Sequence, residues 1–199
     1  MNTLEEIFKK TIIDFDTYFH LLRHFHKIDE KFLNKFVDQT LYEKNDIEQQ
    51  MYKPGSKFRF SFAKNPEDLI KNLAIEVDYK SFYVSTEDNK TEIAIEFDHE
   101  IFPKGIGFDG IAAIRNLVEE ERNSIEKIER NGYIIKTIIA NKKQTWKLNL
   151  YLIEDNGKYL ISTFFPGIYT PPYPNGEIHS EEQLKEYSKF WNEHVIISS

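Results

Sequence analysis

His99 and Lys104 stand close together in the sequence. The same stretch carries three glycines, Gly105, Gly107 and Gly110. An imidazole can deprotonate a ribose 2′-hydroxyl, and an ammonium group can stabilise the negative charge that develops on a phosphate during cleavage. Because glycine lets the backbone approach a ligand closely, the stretch also suits an anion. The two residues therefore suggest metal-independent RNA cleavage. The alternative is an ordinary surface connection between a strand and a helix.

Two hydroxyl residues, Ser162 and Thr163, lie near the end of the last β-rich run, and Tyr169 and Tyr173 follow. Hydroxyls held by a sheet could hydrogen-bond a phosphate or orient a base, and tyrosines could stack on unpaired nucleobases. We take the hydroxyls as candidate catalytic residues and the tyrosines as candidate substrate contacts. The alternative is structural, because threonine is favoured in strands and a Tyr-Pro segment can pack over a sheet.

Asp16, His20 and His24 are spaced four residues apart, so in a helix they would share one face. Two imidazoles one turn apart can bind one metal ion, but the sequence shows no assured further ligand. We therefore expect a polar face or an interhelical contact, with no metal or other cofactor. His179 and His194 are further acid–base candidates that no motif places.

Motif searches exclude several common enzyme classes. The chain contains no Gly-x-Ser-x-Gly elbow, P-loop or His-Glu-x-x-His pattern. Gly105, Gly107 and Gly110 match the spacing of a dinucleotide fingerprint, but no parallel βαβ unit surrounds them. Cys is absent, so disulfides, thiol nucleophiles and thiolate zinc sites are excluded.

Composition narrows the class further. The chain of 199 residues has 16 Phe, 11 Tyr and 2 Trp, which predicts an aromatic core. Its formal net charge of −7 argues against broad binding to duplex nucleic acid, which needs many Lys and Arg to displace counterions. No stretch resembles a membrane span or a secretory leader, so a cytoplasmic location without a membrane partner is expected.

The amino-terminal part of the chain predicts two helices. Thr3 and Glu6 form a capping-box pattern, and apolar residues continue at helical spacing to about His26. Asp29 can cap a second helix that ends before Pro54. Residues 1–53 are therefore expected to form a helical hairpin, followed by an α+β domain over residues 54–199; the two could also be one continuous domain.

The remaining chain predicts a mostly antiparallel sheet, and hence the α+β class. Strands are expected over residues 57–62, 74–84 and 91–98, with a short helix after Asn65. A helix from Ile111 to about residue 130, closed by Asn131-Gly132, should cross the sheet, and Ser180 should open a C-terminal helix. Three β-rich runs over residues 131–166, with a hairpin turn at Asn156-Gly157, predict a meander.

The late β-rich runs resemble those of a known group of enzymes. Residues 146–152 and 159–166, with Ser162-Thr163 before two Phe and a Pro, are similar to the late strands of bacterial ribonuclease toxins of the barnase–EndoU–colicin–RelE type. His99 followed by Gly105 and Gly107 resembles the His-plus-glycine segment of the EndoU-like members. The resemblance spans about residues 91–170.

The resemblance implies metal-independent RNA cleavage by an α+β domain, with RNA as substrate. In that case His99 would be the base, Lys104 or Lys136 would hold the phosphate, and Ser162 or Thr163 would orient the substrate. Two departures matter: EndoU-like enzymes pair two His with a Lys, whereas one His occupies a matching place here, and secreted toxin domains are commonly basic, whereas this chain is acidic.

Two functional hypotheses follow from the sequence. The first is a small endoribonuclease, such as a toxin in a bacterial or phage conflict system. The second is a non-enzymatic interaction protein, such as an immunity factor, an inhibitor or a phage accessory protein, that uses its acidic helix (Glu119 to Glu121) or its aromatic loop to bind a basic partner protein. The acidity of the chain favours the second, and the placement of His99, Lys104 and Thr163 favours the first.

Overall fold

The structure is a computed structural model, which describes residues 4–12, 14–75, 79–130, 132–173 and 178–198, without the side chains of Asp16 and Arg130. Within these residues the helices are α1 (Leu4–Lys9), α2 (Phe15–Leu21), α3 (Glu30–Gln39), α4 (Lys44–Met51), α5 (Pro66–Ala74), α6 (Glu119–Asn123) and α7 (Glu181–Glu193), with 3₁₀ turns at Leu22–His24 and Ile114–Asn116. The strands are β1 (Thr11–Ile12), β2 (Lys57–Phe58), β3 (Tyr79–Glu87), β4 (Lys90–Phe97), β5 (Gly107–Asp109), β6 (Ile111–Ala113), β7 (Glu126–Arg130), β8 (Tyr133–Ile139), β9 (Lys143–Thr145), β10 (Lys147–Asp155), β11 (Lys158–Pro166) and β12 (His194–Ser198).

The largest sheet has five strands in the order β1-β11-β10-β4-β3. Along β10, Leu148, Leu150 and Leu152 are almost fully buried, because alternate residues of a strand point to the same face. Residues from helices α1 to α5 pack with this face in the main core. The core thus combines both of the predicted segments, residues 1–53 and residues 54–199.

Aromatic rings fill the centre of this core, as the composition predicts. Phe164 of β11 is fully buried and lies 5.7 Å from Phe58 and 6.1 Å from Phe25, measured between ring centroids. Both contacts are edge-to-face, the geometry that aromatic quadrupoles favour.

A second sheet has four strands in the order β6-β12-β8-β7, and helix α7 packs on one of its faces. Tyr187 and Trp191 of α7 are buried there with Ile135 and Ile196. A small third sheet, β2-β5-β9, lies beside the first. The fold is therefore mixed α+β with mostly antiparallel pairing, as expected, and it has the expected C-terminal helix.

Several local signals are confirmed. Asn65 accepts a hydrogen bond from the Asp68 amide at 2.8 Å and begins α5, and Ser180 accepts one from the Gln183 amide at 3.2 Å and begins α7. Asn156 has a φ of 51° and Gly157 a φ of 74°, as the tight hairpin between β10 and β11 requires. The predicted strand pair forms as β3–β4, but β3 begins at Tyr79, because Ala74 is the last residue of α5 and Ile75 is its cap.

The first predicted helix is interrupted. Instead of one helix to His26, the chain forms α1, the short strand β1 and then α2. Thr11 and Ile12 pair in parallel with Tyr159 and Leu160, at the edge of the five-stranded sheet. β-Branched residues suit a strand, and the open edge of β11 supplies the hydrogen bonds that a helix would otherwise supply. The amino-terminal segment is thus helical but is not a simple hairpin of two helices.

The predicted crossing helix from Ile111 to residue 130 is wrong. This region forms β6, a 3₁₀ turn, the five-residue helix α6 and then β7. Strand β7 pairs with β8 throughout its length, so the region of Gly132 is a hairpin connection and not a helix end; Asn131 lies outside the described residues. The predicted meander also changes, because β8 belongs to the four-stranded sheet, so of the predicted runs only β10 and β11 pair with each other in the five-stranded sheet.

The predicted strand over residues 57–62 is short, and the glycine loop after His99 serves packing. Pairing stops after Phe58, and a turn follows. A Cβ at Gly110 would lie 2.1 Å from the carbonyl carbon of Gly55, so only glycine permits this approach of two backbone segments. None of the helices in the described ranges has the length and apolar composition needed to cross a bilayer.

Candidate functional site

Four polar side chains form a row across the outer face of the five-stranded sheet. The strand registers place Ser85 opposite Glu92, Glu92 opposite Tyr151, and Tyr151 opposite Thr163. The neighbours of Tyr151 in β10 are buried in the main core, so alternation directs this row away from the core. The row is the floor of a cleft of about 790 Å³.

Helix α7 forms the facing wall of the cleft. Glu186, Lys189, Phe190 and Glu193 all line it, and a spacing of three, four and seven residues places them on one helix face. Glu87 and Lys90 line the sheet side, and the segment Thr170–Pro172 closes one end. Because its described lining carries four glutamates and two lysines, we call this region the acidic cleft.

The hydroxyl of Tyr151 links the floor to the end of the cleft. It donates a hydrogen bond to Glu92 Oε1 at 2.9 Å, and the side chain of Thr170 hydrogen-bonds the same hydroxyl. Burial raises the pKa of Tyr151 to about 12, and the nearby Glu92 carboxylate acts in the same direction. Tyr151 therefore stays neutral at physiological pH and orients the Glu92 carboxylate without cancelling its charge.

His194 stands where α7 ends and β12 begins, and it also lines the acidic cleft. Its Nδ1 donates to the carbonyl oxygen of Phe190 at 2.9 Å, and its ring stacks on the Phe190 ring at 4.2 Å between centroids. Because a carbonyl oxygen only accepts, Nδ1 carries a proton, and in the neutral ring Nε2 is then an acceptor. His194 thus brings a potential base to the cleft.

Asp109 holds the chain in place where it leaves β11 for the cleft. Its carboxylate accepts hydrogen bonds from the amides of Ile111 at 3.0 Å and Ile168 at 2.8 Å, and Asn149 Nδ2 donates to the Gly167 carbonyl at 2.8 Å. Burial raises the pKa of Asp109 to about 6, although both amide bonds favour the ionised form. These contacts fix Gly167 and Ile168, and so they position the segment that continues to Thr170 at the end of the cleft.

The structure does not bring His99 and Lys104 to this cleft. His99 is exposed and stacks on Trp146, with 4.1 Å between ring centroids. Trp146 precedes Tyr151 by five residues, which is roughly 16 Å along an extended strand. Lys104 is exposed, and its carbonyl accepts a hydrogen bond from Arg59 Nε at 2.6 Å. His99, the base that the resemblance implies, therefore does not line the cleft that contains Thr163.

Ser162 and Thr163 both line the acidic cleft, as the hypothesis of a hydroxyl pair requires. Ser162 is the extra residue of a β-bulge, since Thr163 pairs with Tyr151 while Ile161 pairs with Leu152. A bulge re-aims side chains on the strand, and here it places both hydroxyl residues on the cleft.

The predicted substrate contacts are divided between two places. Tyr169 packs against His194 with 4.7 Å between ring centroids, and the Tyr173 hydroxyl donates to Glu186 Oε2 at 3.0 Å. Both tyrosines thus contact residues that line the acidic cleft, Tyr169 through its ring and Tyr173 through its hydroxyl. Lys136 belongs to β8 and lies against another face of α7, where its Nζ donates to the Asn192 carbonyl at 2.9 Å.

The histidines of the amino-terminal segment have structural partners. His20 Nε2 donates to the carbonyl of the bulged residue Ser162 at 2.9 Å, and His24 Nδ1 donates to the Ser56 carbonyl at 3.0 Å. Burial lowers the pKa of both imidazoles, most strongly for the buried His24. The side chain of Asp16 lies outside the described residues, and those described contain no cluster of three metal-ligating side chains.

Sequence reasoning missed Glu92, Tyr151 and Lys189 and did not place His194. Strand alternation carried part of the signal, because Glu92 in β4 and Tyr151 in β10 are partly exposed polar positions between buried residues. The helix face of Lys189 was also readable, but nothing in the sequence showed which sheet it would meet. Comparison of the chain with protein-family models, with curated proteins and with solved structures found no match.

Proposed function

We propose that this chain is a non-enzymatic interaction protein that binds a basic segment of a partner protein in the acidic cleft. The observation that supports it is the arrangement of glutamates on two facing walls, Glu87 and Glu92 on the sheet and Glu186 and Glu193 on α7. An immunity factor or inhibitor that covers a basic target surface would work in this way.

The facing walls favour a cationic side chain. A Lys or Arg that enters between the sheet and α7 meets carboxylates on both sides, and an Arg guanidinium can bind a carboxylate through two parallel hydrogen bonds. Glu92 and Glu186 each accept a hydrogen bond from a tyrosine hydroxyl, which fixes their orientation and leaves their charge in place. Preformed acceptors reduce the ordering cost of binding.

The size of the cleft and the charge of the whole protein act in the same direction. A cleft of about 790 Å³ takes one or two long side chains and is too small for a nucleic-acid duplex. The net charge of −7 attracts a basic partner and speeds its association. Electrostatic attraction of this kind weakens as salt is added.

The test is a fluorescence-anisotropy titration of the protein with a labelled hexa-arginine peptide. We expect saturable binding that weakens with salt, and a loss of about fivefold in affinity for Glu92→Gln and for Glu193→Gln, equivalent to about 1 kcal/mol for one partly exposed ion pair. Glu120→Gln on the exposed helix α6 is the matched control, because it removes the same charge away from the cleft.

Equal effects of the cleft and control substitutions would contradict the proposal, since they would show a non-specific response to net charge. Absence of binding at low salt would also contradict it. A labelled hexa-glutamate peptide of the same length provides the opposite charge and should not bind.

A second candidate function, metal-independent RNA cleavage, is favoured by one observation: His194 lines the same cleft as Ser162 and Thr163. In this scheme His194 Nε2 removes the proton of a ribose 2′-hydroxyl, and the 2′-oxygen attacks phosphorus. A 2′,3′-cyclic phosphate forms as the bond between phosphorus and the 5′-oxygen breaks. The 5′-oxygen takes a proton from solvent water, and His194 later returns its proton to solvent. Lys189 would balance charge on the phosphate. The four glutamates oppose a polyanion, so this function ranks second.

The assay for the second candidate is incubation of the purified protein with single-stranded RNA in the presence of EDTA. His194→Ala should abolish cleavage, whereas His99→Ala should leave it unchanged, because His99 lies outside the cleft. Intact RNA, or cleavage that persists in His194→Ala, would exclude this mechanism.

A further inference from the structure

A second concave region lies on another face of α7, between that helix and the strand pair β7–β8. Its volume is about 310 Å³, and it is lined on the helix side by Tyr187, Ser188 and Trp191, and on the strand side by Lys127, Tyr133 and Lys136. We call it the lysine groove. It is separate from the acidic cleft, which uses Glu186, Lys189, Phe190 and Glu193 of the same helix.

The charge of the lysine groove is opposite to that of the protein. Its described lining contains two lysines and no carboxylate, whereas the whole chain carries a net charge of −7. Lys127 and Lys136 stand directly opposite each other on β7 and β8. Like charges at directly opposed positions destabilise a strand pair, and a bound anion would remove this repulsion.

Lys136 is held in place by the end of α7. Its Nζ donates to the Asn192 carbonyl at 2.9 Å, close to the negative end of the helix dipole. This bond uses one of the three ammonium protons. Burial lowers the pKa of Lys136, and the positive charge of Lys127 acts in the same direction, as expected for two neighbouring cations.

Aromatic side chains form the remaining walls. Tyr133 meets Tyr187 edge-on with 5.4 Å between ring centroids, and Tyr187 meets Trp191 at 6.1 Å. Such a wall suits one planar ring, and the small volume excludes a polymer or a dinucleotide. We propose that the lysine groove binds a small aromatic carboxylate, with its ring against the aromatic wall and its carboxylate between Lys127 and Lys136. This inference is independent of the function proposed for the acidic cleft.

The two tryptophans of the chain make the groove directly observable. In Trp146→Phe, Trp191 is the sole tryptophan, so the single indole N–H signal in a two-dimensional ¹⁵N NMR spectrum reports on the groove. Trp191 Nε1 is buried without a hydrogen-bond partner in the described part of the protein, so its signal is sensitive to small changes in packing. The probe is benzoate, with benzamide as the neutral compound of the same shape and inorganic phosphate as an anion without a ring.

Benzoate should shift the Trp191 signal in a saturable way, while benzamide should bind at least about fivefold more weakly, because it lacks the charge that the two lysines recognise. Lys127→Gln should weaken benzoate binding by a similar factor. Lys127 is exposed, so this change leaves the fold intact, and Lys143→Gln on β9 is the matched control for lost charge.

Three results would overturn the assignment. Benzoate without a saturable effect would show that the groove is not a site. Equal binding of benzoate and benzamide, or an unchanged affinity in Lys127→Gln, would show that the lysines do not recognise the anion. Phosphate binding without benzoate binding would show that the aromatic wall does not select the ligand.

Discussion

The buried lysine of β2 should make the stability of this protein rise with pH in the alkaline range. Lys57 is only 3% exposed, and its Nζ donates to the carbonyl oxygens of Arg23 and Met51. Burial lowers the pKa of Lys57 from 10.5 to about 7, and the positive charges of Lys142 and Arg23 act in the same direction.

The magnitude follows from the difference between the two pKa values. Between pH 7 and 10.5 the unfolded chain binds the Lys57 proton more tightly than the folded protein, so the free energy of unfolding increases with pH across this window. The values 10.5 and about 7 correspond to a change of about 5 kcal/mol. This is an upper limit, because the two carbonyl acceptors favour the charged ammonium.

The assay compares wild-type protein with Lys57→Met in urea unfolding followed by circular dichroism at a series of pH values. Methionine has a similar volume and no charge, so the difference between the two curves isolates the contribution of Lys57. We expect the wild type to gain stability relative to the variant between pH 7 and 10.5. Lys64 is exposed, so the free energy of unfolding of Lys64→Met should change with pH in the same way as that of the wild type.

Parallel curves for wild type and Lys57→Met would refute the reasoning, because they would mean that Lys57 titrates at the same pH in the folded and unfolded states. A relative loss of wild-type stability with rising pH would refute it as well. In that case the two carbonyl bonds would outweigh the burial of the charge.

Three further predictions concern the fold. Burial raises the pKa of Asp109 from 3.8 to about 6, so the folded state holds this proton more tightly than the unfolded chain. The free energy of unfolding should therefore fall by about 3 kcal/mol as pH rises from 3.8 to about 6. Asp109→Asn should not show this decrease in urea unfolding, and a pH profile identical to that of the wild type would contradict the prediction. Gly110→Ala should lower the free energy of unfolding by about 1 to 3 kcal/mol, because the new Cβ meets the Gly55 backbone; unchanged stability would show that the two segments separate easily. Phe164→Ala should lower the free energy of unfolding by about 3 to 5 kcal/mol, because it leaves a cavity in the core. Phe82→Ala, at a position 52% exposed, should lower it much less. Similar losses for the two variants in urea unfolding would show that Phe164 is not a core residue.

Features that depend on near neighbours in sequence could be predicted. The cap at Asn65 and the turn at Asn156-Gly157 were readable because their hydrogen bonds or backbone angles involve only a few residues. The same reason explains why the start of α7 and the hairpin of β10 and β11 were located correctly.

Features that depend on a distant partner could not be predicted. The pattern of Glu126 to Arg130 fits a helix, yet the residues form a strand because β8 supplies a full set of hydrogen bonds. Thr11 and Ile12 leave the helical pattern for the same reason, since β11 offers an open edge. In each case tertiary pairing outweighed local propensity.

The sequence alone determined the acidity of the protein, its aromatic core, its lack of thiol chemistry and the hydroxyl residues at the end of β11. Only the tertiary structure decided which charged groups meet. His194 is 31 residues beyond Thr163, and the two line one cleft because α7 returns across the sheet, while His99 stays on Trp146. A cleft collects side chains from separate elements, and their proximity depends on how those elements pack.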